Sequence, residues 1–289
     1  MILVADSGST KTSWRFIDAE KKVHAVHTLG FNPFFWTSKA IVDEINKHCP
    51  KKLKSQISNL KSQIYFYGAG CSSKKRIAIV KKALKKSFPN CRIQVNHDLL
   101  ASARAVCGNE KGIATILGTG SNSCYYDGEK TVRQRGGWGY IISDEGSGAH
   151  IGKKLMQDFI NENLPYELQE KLYKKHKLTR EKVVQSVYNK PYPNRFLASF
   201  GKFIHENINE PYCRDLVKNR FTEFFESHIC RYDNYKELPM GCVGSVGFYF
   251  KDILKEVADE HNIRLGKIIE SPIDELVKYH LKDSGLKPE

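Results

Sequence analysis

Three glycine-rich turns, each directly after a short apolar run, constrain this chain more than any other feature. They lie at residues 7–10, 118–122 and 244–247. Strand-like segments follow the first two turns and a helix-like segment follows the third, so the pattern predicts strand–turn–strand twice and strand–turn–helix once. The sequence therefore predicts an α/β chain built from two similar halves.

The length of the chain agrees with two domains. It has 289 residues, about twice the usual size of a single domain. The natural boundary is the polar segment Gly108–Gly112, which gives an N-terminal domain 1–110 and a C-terminal domain 111–289. We expect a mostly helical insertion at about 145–235 in the second domain, broken by prolines, and a terminal helix at about 272–289 that can pack back on the first domain.

Composition excludes several classes of protein. Hydrophobic residues make up 40% and charged residues 27%, which is ordinary for a globular protein and unlike a disordered chain. No apolar run reaches about 18 residues, so no membrane partner is expected. The first residues carry an acid and a glycine-rich turn where a signal peptide needs an apolar stretch, so we expect a cytoplasmic protein. The eight cysteines form no CxxC element, so no zinc site is predicted.

The net charge of +14 is concentrated in one block. Thirteen Lys and Arg residues and no acid lie between Glu44 and Asp98. Such a block is compatible with a nucleic-acid surface or with a solvated helix face. The lysines of residues 74–86 fall opposite the apolar stripe of an amphipathic helix, which favours the solvated face, so no nucleic-acid partner is predicted.

The first turn has the composition of a phosphate-binding loop. Backbone N–H groups in a tight turn form a concave anion site, and hydroxyls beside them can donate to phosphate oxygens. An acid at the end of the first strand is suited to hold Mg²⁺, through water. The Walker spacing G-x-x-x-x-G-K-[ST] is absent, which disfavours a P-loop fold. The predicted nucleotide and metal residues of this turn are Asp6, Gly8, Ser9, Thr10, Lys11 and Thr12, with Asp6 as the metal residue.

The second and third turns extend this site. A second phosphate-type turn begins the second half, and two such turns on similar halves can hold the β- and γ-phosphates of ATP from both sides. The third turn precedes a helix. The nucleotide residues predicted from the second turn are Gly118 and Gly120.

In this order the three turns resemble the phosphate-1, phosphate-2 and adenosine motifs of the actin-like ATPase superfamily, which includes sugar kinases and the heat-shock chaperone ATPase domain. They cover nearly the whole chain. The resemblance implies two ribonuclease H-like domains around a central cleft, with ATP and Mg²⁺ as cofactors. Within the superfamily, further segments resemble the N-acetylglucosamine kinases of the BadF/BadG/BcrA/BcrD group: Gly30-Phe-Asn-Pro, Asn96-His-Asp-Leu, Gly136-Gly-Trp-Gly and Ser143-Asp-Glu-Gly-Ser-Gly.

That resemblance assigns roles to individual residues. It implies that Asp98 is the catalytic carboxylate, which accepts the proton of a sugar hydroxyl as the bond to phosphorus forms. From spacing alone, Asp98 and Asp144 equally fit helix N-caps and Trp138 fits a core position. The substrate residues implied by the resemblance are Asn32, Asp98, Ser121, Asn122, Gly137, Trp138, Gly139 and Asp144. The resemblance also implies Thr119, Gly244, Ser245 and Gly247 as further nucleotide residues.

The sequence is therefore interpreted as an ATP-dependent kinase that phosphorylates an amino sugar, with N-acetylglucosamine at its 6-hydroxyl as the favoured substrate. Glucosamine, N-acetylmannosamine and N-acetylmuramic acid stay open as alternatives. So does an ATP-driven activator of a 2-hydroxyacyl-CoA dehydratase, which needs cluster cysteines at a dimer face. The resemblance also implies a homodimer.

Overall fold

The computed structural model describes residues 1–8, 10–18, 20–59 and 62–283. By its internal contacts the chain divides into two compact units. Unit 1 is Met1–Gly108 together with the described chain from Pro272 onward, and unit 2 is Asn109–Ser271. The predicted nucleotide residue Ser9 lies outside the described residues.

Unit 1 is a sheet with helices on both faces. Its strands are β1 (Ile2–Ser7), β2 (Lys11–Ile17), β3 (Val23–Leu29), β4 (Gln63–Gly68) and β5 (Arg92–His97), and its helices are α1 (Ser38–His48), α2 (Lys51–Asn59), α3 (Lys74–Ser87), α4 (Asp98–Cys107) and α13 (Ile273–Asp283).

The five described strands of unit 1 form one mixed sheet in the order β3-β2-β1-β4-β5. The first three are antiparallel, whereas β4 and β5 run parallel to β1. One face packs on α1 and α3 around an aromatic core that includes Trp14, Phe31 and Phe66. Successive strand residues point to opposite faces, so Tyr65 and Tyr67 face the other side, where His280 of α13 stacks on Tyr65 with ring centroids 3.6 Å apart.

Unit 2 contains the second sheet and a large set of helices. Its strands are β6 (Gly112–Leu117), β7 (Ser121–Tyr126), β8 (Thr131–Gly136), β9 (Met240–Val243) and β10 (Leu265–Ile269); its helices are α5 (Gly148–Ile160), α6 (Tyr166–His176), α7 (Arg180–Tyr188), α8 (Pro193–Ala198), α9 (Gly201–Glu206), α10 (Pro211–Ser227), the 3-10 helix Ile229–Arg231, α11 (Ser245–Tyr249) and α12 (Lys251–Glu260).

The strands of unit 2 repeat the topology of unit 1. In the described chain they follow the order β10-β9-β6-β7-β8, with β6, β7 and β8 antiparallel and β9 and β10 parallel to β6. Each unit is thus a three-stranded meander extended by two parallel strands, so the carboxyl ends of three parallel strands meet at one edge of each sheet. The helices α5–α10 fill the stretch where a helical insertion is predicted. Within the described residues, no helix is both long and apolar enough to cross a membrane.

Candidate active site

The first turn joins β1 to β2 and is braced by buried hydroxyls. Thr12 is fully buried and its hydroxyl donates to the Leu29 carbonyl at 2.8 Å. The Oγ atoms of Ser7 and Thr12 lie 2.8 Å apart, and Gly8 N donates to the Lys11 carbonyl at 3.0 Å. The Thr12 hydroxyl, which the sequence assigns to phosphate, therefore stabilises the turn in this conformation. Thr10 and Lys11 are exposed.

Two hydrogen bonds attach the segment with Asn32 to this turn. Phe31 N donates to Ser7 Oγ at 2.8 Å, and Gly30 N donates to the Thr10 carbonyl at 3.0 Å. Asn32 is half-buried and accepts a hydrogen bond from Phe34 N at Oδ1. A side chain at Gly70, after β4, would overlap Asn32 Oδ1, so Asn32 also lies at the carboxyl end of β4.

Asp6 and Asp98 lie at the same edge of the sheet. Asp6 is paired in register with Tyr67 of β4, and Tyr67 with Asn96 of β5, two residues before Asp98. Burial raises the pKa of Asp6 to about 7, and the negative charge of Asp98 adds to this effect. The Asp6 carboxylate has no hydrogen bond to another described residue. The structure thus brings together two carboxylates that repel each other and are partly shielded from water.

The position of Asp98 at the start of α4 leaves its carboxylate available. His97 is the N-cap, and its Nδ1 accepts a hydrogen bond from Leu100 N at 3.2 Å. Asp98 is the first helical residue, and its Oδ1 accepts a hydrogen bond from Leu99 N at 3.0 Å. Burial raises the pKa of Asp98, although His97 and backbone N–H groups lower it in part. A carboxylate of this kind is a stronger proton acceptor than one in water.

The second turn, in unit 2, is held by the start of α5. Gly118 N donates to the Gly120 carbonyl at 3.0 Å, which closes the turn. The first N–H groups of α5, from Gly148 and Ala149, donate to the carbonyls of Gly118 and Thr119 at 2.8 and 3.0 Å. The turn is therefore fixed to a helix of its own unit at two successive carbonyls.

Asp144 approaches the same turn from the loop before α5. Its Oδ1 accepts a hydrogen bond from Ser121 N at 3.2 Å, and a side chain at Gly120 would lie 2.8 Å from Oδ2. Asp144 is 7% exposed, and burial raises its pKa, as does the neighbouring Glu145. Ser121 Oγ is buried without a hydrogen-bond partner among the described residues. The Asp144 carboxylate and the Ser121 hydroxyl, which the family resemblance assigns to the sugar, are thus adjacent and can accept or donate further hydrogen bonds.

Asn122 and the turn after β8 complete this cluster. Asn122 is paired with Gly136 across β7 and β8, and its side chain leaves no room for a Cβ on Gly137, which would lie 2.7 Å from Nδ2. Trp138 is 76% exposed, so it is not a core residue, and Gly139 accepts a hydrogen bond from Ser143 N at 2.9 Å.

The third turn lies at the end of β9. Gly244 has φ of +124°, a region that side chains avoid, and a Cβ there would overlap the Leu117 carbonyl oxygen. Gly247 is packed against Cys242 in the same way, whereas Ser245 is exposed. The third turn is therefore in contact with the end of β6, where the second turn begins.

Two features of these sites were missed in the sequence. Cys71 is buried close enough to Asp98 for that carboxylate to raise the pKa of the thiol, after burial, to about 12. His228 binds Glu145, next to Asp144, with its Nε2 2.8 Å from Oε2. No local pattern marks these pairs, because their members are 27 and 83 residues apart.

The two units, with their shared topology and the glycine-rich turns after β1, β6 and β9, define a fold of the actin-like sugar kinase class. A structure from Porphyromonas gingivalis with the provisional designation N-acetylglucosamine kinase is 38% identical, covers 98% of this chain and 100% of that one, and superposes with a TM-score of 0.93. One from Chromobacterium violaceum with the same provisional designation is 17% identical, covers 96% and 98%, and has a TM-score of 0.72, which supports the fold.

A curated N-acetyl-D-glucosamine kinase from Dictyostelium discoideum is 27% identical over 164 residues. That match spans 53% of this chain and about half, 51%, of the curated relative. No protein-family model matches the chain. On the full-length similarity to the Porphyromonas protein, the chain belongs to the N-acetylglucosamine kinase family of actin-like sugar kinases.

Proposed function

We propose that this chain transfers the γ-phosphoryl group of ATP to the 6-hydroxyl of an amino sugar, with N-acetylglucosamine as the substrate. Its relatives are designated kinases for that sugar. The observation that carries the proposal is the environment of Asp98: a partly buried carboxylate with a raised pKa, at the edge of the sheet that also carries the first turn and Asn32.

Asp98 acts as the general base in this proposal. A sugar hydroxyl is a weak nucleophile at neutral pH, and a carboxylate beside it can accept the proton as the oxygen bonds to phosphorus. Burial raises the pKa of Asp98, which makes its carboxylate a stronger proton acceptor than one in water. Because His97 serves as the helix cap, the Asp98 carboxylate is not needed for that role.

The residues present fit a magnesium ion at Asp6. A carboxylate with a pKa near 7, beside a second carboxylate and without a hydrogen bond to the described residues, is stabilised by a divalent cation. Magnesium usually keeps several waters and binds through one or two carboxylates and the phosphates of its substrate, so a single carboxylate at this place suffices. Mg²⁺ bound there would neutralise charge on those phosphates.

The cluster in unit 2 supplies the sugar contacts in this proposal. Asp144, Ser121 and Asn122 can hydrogen-bond ring hydroxyls, which disfavours sugars that lack them. The exposed indole of Trp138 can pack on the sugar ring or its acetamido group. Gly118–Gly120 and Gly244–Gly247 contact the nucleotide. The homodimer stays a prediction from the resemblance, and the cytoplasmic location stays a prediction from the first residues of the sequence.

A coupled assay for ADP release tests the proposal, run over N-acetylglucosamine, glucosamine, N-acetylmannosamine and N-acetylmuramic acid. We expect the highest kcat/KM with N-acetylglucosamine. Asp98→Asn removes the base and should lower kcat by about 10³-fold or more, while ATP and sugar still bind.

Asp18→Asn is the matched control, because Asp18 lies in the exposed turn between β2 and β3 and accepts from Glu20 N and Lys22 N. It should leave kcat unchanged. Absence of sugar-stimulated turnover across the panel would refute the kinase assignment, and full activity in Asp98→Asn would refute the role of Asp98.

A further inference from the structure

Two loops of unit 2 carry most of the sugar-side residues of the proposed function. The turn Gly136–Gly139 follows β8 and bears Trp138, and the loop Ser143–Ser147 precedes α5 and bears Asp144. Between them, Ile141 and Ile142 are 74% and 77% exposed. These two side chains therefore do not anchor the linking segment, which packs on the core of unit 2 through Tyr140. The turn and the loop on either side of it share one further contact, His228.

His228 lies against both loops. It follows α10 and is 7% exposed. A Cβ on Gly136, whose φ is +82°, would lie 3.2 Å from His228 Cε1, so the absence of a side chain there admits the imidazole ring. On the other loop, His228 Nε2 lies 2.8 Å from Glu145 Oε2.

The chemistry of the pair fixes which nitrogen carries a proton. An ionised carboxylate only accepts hydrogen bonds, so His228 Nε2 is the donor to Glu145. Ser143 Oγ donates to the same Glu145 oxygen at 3.3 Å. Although burial raises the pKa of Glu145, its hydrogen bonds, including that from His228, lower it below the ordinary value. Glu145 is thus held as an anion at a fixed place, with its backbone joined directly to Asp144.

Asp144 itself has an uncommon backbone conformation next to this pair. It has a φ of +70°, a left-handed conformation that costs a non-glycine residue free energy unless its surroundings maintain it. Glu145 is its neighbour in sequence and a like charge that disfavours the ionised form of Asp144, whereas His228 favours it. Without His228, Glu145 would lose the shorter of its two side-chain hydrogen bonds, at the position next to Asp144, and keep only the one from Ser143 Oγ.

We infer that His228 is a positioning residue for the sugar site: it orders the Gly136–Gly139 turn by packing and the Ser143–Ser147 loop through Glu145, and so sets the affinity for the amino sugar. The inference rests on the proposed function for its substrate. His228 itself does not contact the reacting atoms, so its loss changes sugar binding rather than phosphoryl transfer.

The test compares His228→Leu, which keeps bulk but removes the donor, with His228→Gln, which restores an N–H at similar reach. Loss of a buried hydrogen bond to a charged group should raise the sugar KM of His228→Leu by roughly tenfold. The values of kcat and of the ATP KM should stay within about twofold, and His228→Gln should recover most of the sugar KM. Glu145→Gln combined with His228→Leu should cost less than the sum of the two single changes.

His261→Leu is the matched control, because His261 also follows a helix of unit 2, is half-buried and contacts Phe225. It should leave the sugar KM unchanged. An unchanged sugar KM in His228→Leu would overturn the inference. An equal rise in the ATP KM, or an equal effect of His261→Leu, would do the same, because either would indicate a general loss of structure.

Hydrogen exchange separates this inference from the proposed function. Amides of residues 136–147 should exchange faster in His228→Leu than in the wild-type chain, with the rest of unit 2 unchanged. If the wild-type chain phosphorylated no amino sugar, the proposed function would fail, and the exchange of residues 136–147 would still decide whether His228 orders these loops. Unchanged exchange there would refute it.

Discussion

At the scale of single residues, the site depends on a division of roles between His97 and Asp98. Spacing at the start of α4 allows Asp98 to be either a helix cap or a catalytic base. The structure assigns the cap to His97, whose ring accepts from Leu100 N. A cap at residue 98 would tie its carboxylate to the third helical N–H group. Because the cap lies one residue earlier, Asp98 is free to face the edge of the sheet.

The buried carboxylate of Asp6 should lower the free energy of unfolding at neutral pH, and in the proposed function it binds Mg²⁺. The pKa of Asp6 is about 7 in the folded chain, against 3.8 for an aspartate that is not buried. The unfolded chain therefore releases this proton at a lower pH. The ionised carboxylate therefore costs folding free energy that appears as the pH rises from about 4 through about 7. We expect Asp6→Asn to raise the unfolding free energy above pH 7 by on the order of 2 kcal/mol, and to abolish Mg²⁺-dependent turnover.

Thermal melts across this pH range check the stability gain. The difference in Tm between Asp6→Asn and the wild-type chain should vanish at acid pH, below about 4, where Asp6 is protonated in both states. Asp43→Asn, on the exposed face of α1, should show no such difference. A Tm for Asp6→Asn that is equal to or below that of the wild-type chain at neutral pH would contradict the burial of an uncompensated charge.

At this scale the sequence predicts what is chemically conspicuous and misses what depends on contacts. Asp6, Asp98 and Asp144 stand beside glycine-rich turns, so they can be recognised one by one. The partner of Glu145 cannot, because His228 reaches it only after α10 has folded. The sequence also does not reveal that the Thr12 hydroxyl stabilises the first turn, because its hydrogen-bond acceptor is a carbonyl of β3.

At the scale of elements, the turn between β9 and α11 packs too closely on β6 to admit a side chain at Gly244. Gly244→Ala forces a side chain into the left-handed region and onto the Leu117 carbonyl oxygen. We expect it to lower the unfolding free energy by about 1–3 kcal/mol and to weaken ATP binding. Chemical denaturation and the ATP KM measure the two effects.

Gly201→Ala is the control, because a Cβ at this first residue of α9 meets no atom within 4 Å. It should stabilise the chain by up to about 1 kcal/mol, since alanine is the better helix former. If Gly244→Ala were as stable as Gly201→Ala, the turn would have more freedom than its contacts with β6 indicate.

Local sequence predicts the elements with strong periodicity. The amphipathic helix that the sequence indicates for the lysines of 74–86 is α3, which begins at Lys74 with Ser73 as the cap. The helix α1 likewise follows a hydroxyl-bearing cap, Thr37. The helix α2, by contrast, was not predicted, because its nine residues are mostly polar. The order of the strands could not be predicted from local sequence either, because the pairing of β1 with β4 joins residues about 60 positions apart.

At the scale of the whole molecule, the positive charge is a surface property of unit 1. The six lysines of α3 are exposed, and none forms an ion pair with a described residue. Exposed charges beyond a Debye length of about 8 Å are screened at physiological salt. Reversing Lys81, Lys82, Lys85 and Lys86 to Glu should therefore leave kcat and the ATP KM within about twofold.

Steady-state kinetics at physiological and at low salt check this prediction. A moderate rise in the ATP KM that appears only at low salt agrees with long-range attraction of the nucleotide. A large loss of turnover at physiological salt would mean that α3 contributes directly to the site. Reversal of four exposed lysines in and between α6 and α7 serves as the control for changed net charge: Lys174, Lys175, Lys177 and Lys182.

Because α13 packs back on unit 1, this unit cannot be completed until late in synthesis on the ribosome. His280 covers Tyr65 and binds the hydroxyl of Tyr67 at 2.8 Å, so residues near the end of the chain complete a face of a sheet made from residues 2–97. A ribosome adds about 5–20 residues per second. The face of this sheet that α4 and α13 share is therefore covered by α4 alone until all of unit 2 has been translated. A nascent chain that stalls before residue 273 leaves Tyr65 and Tyr67 without His280.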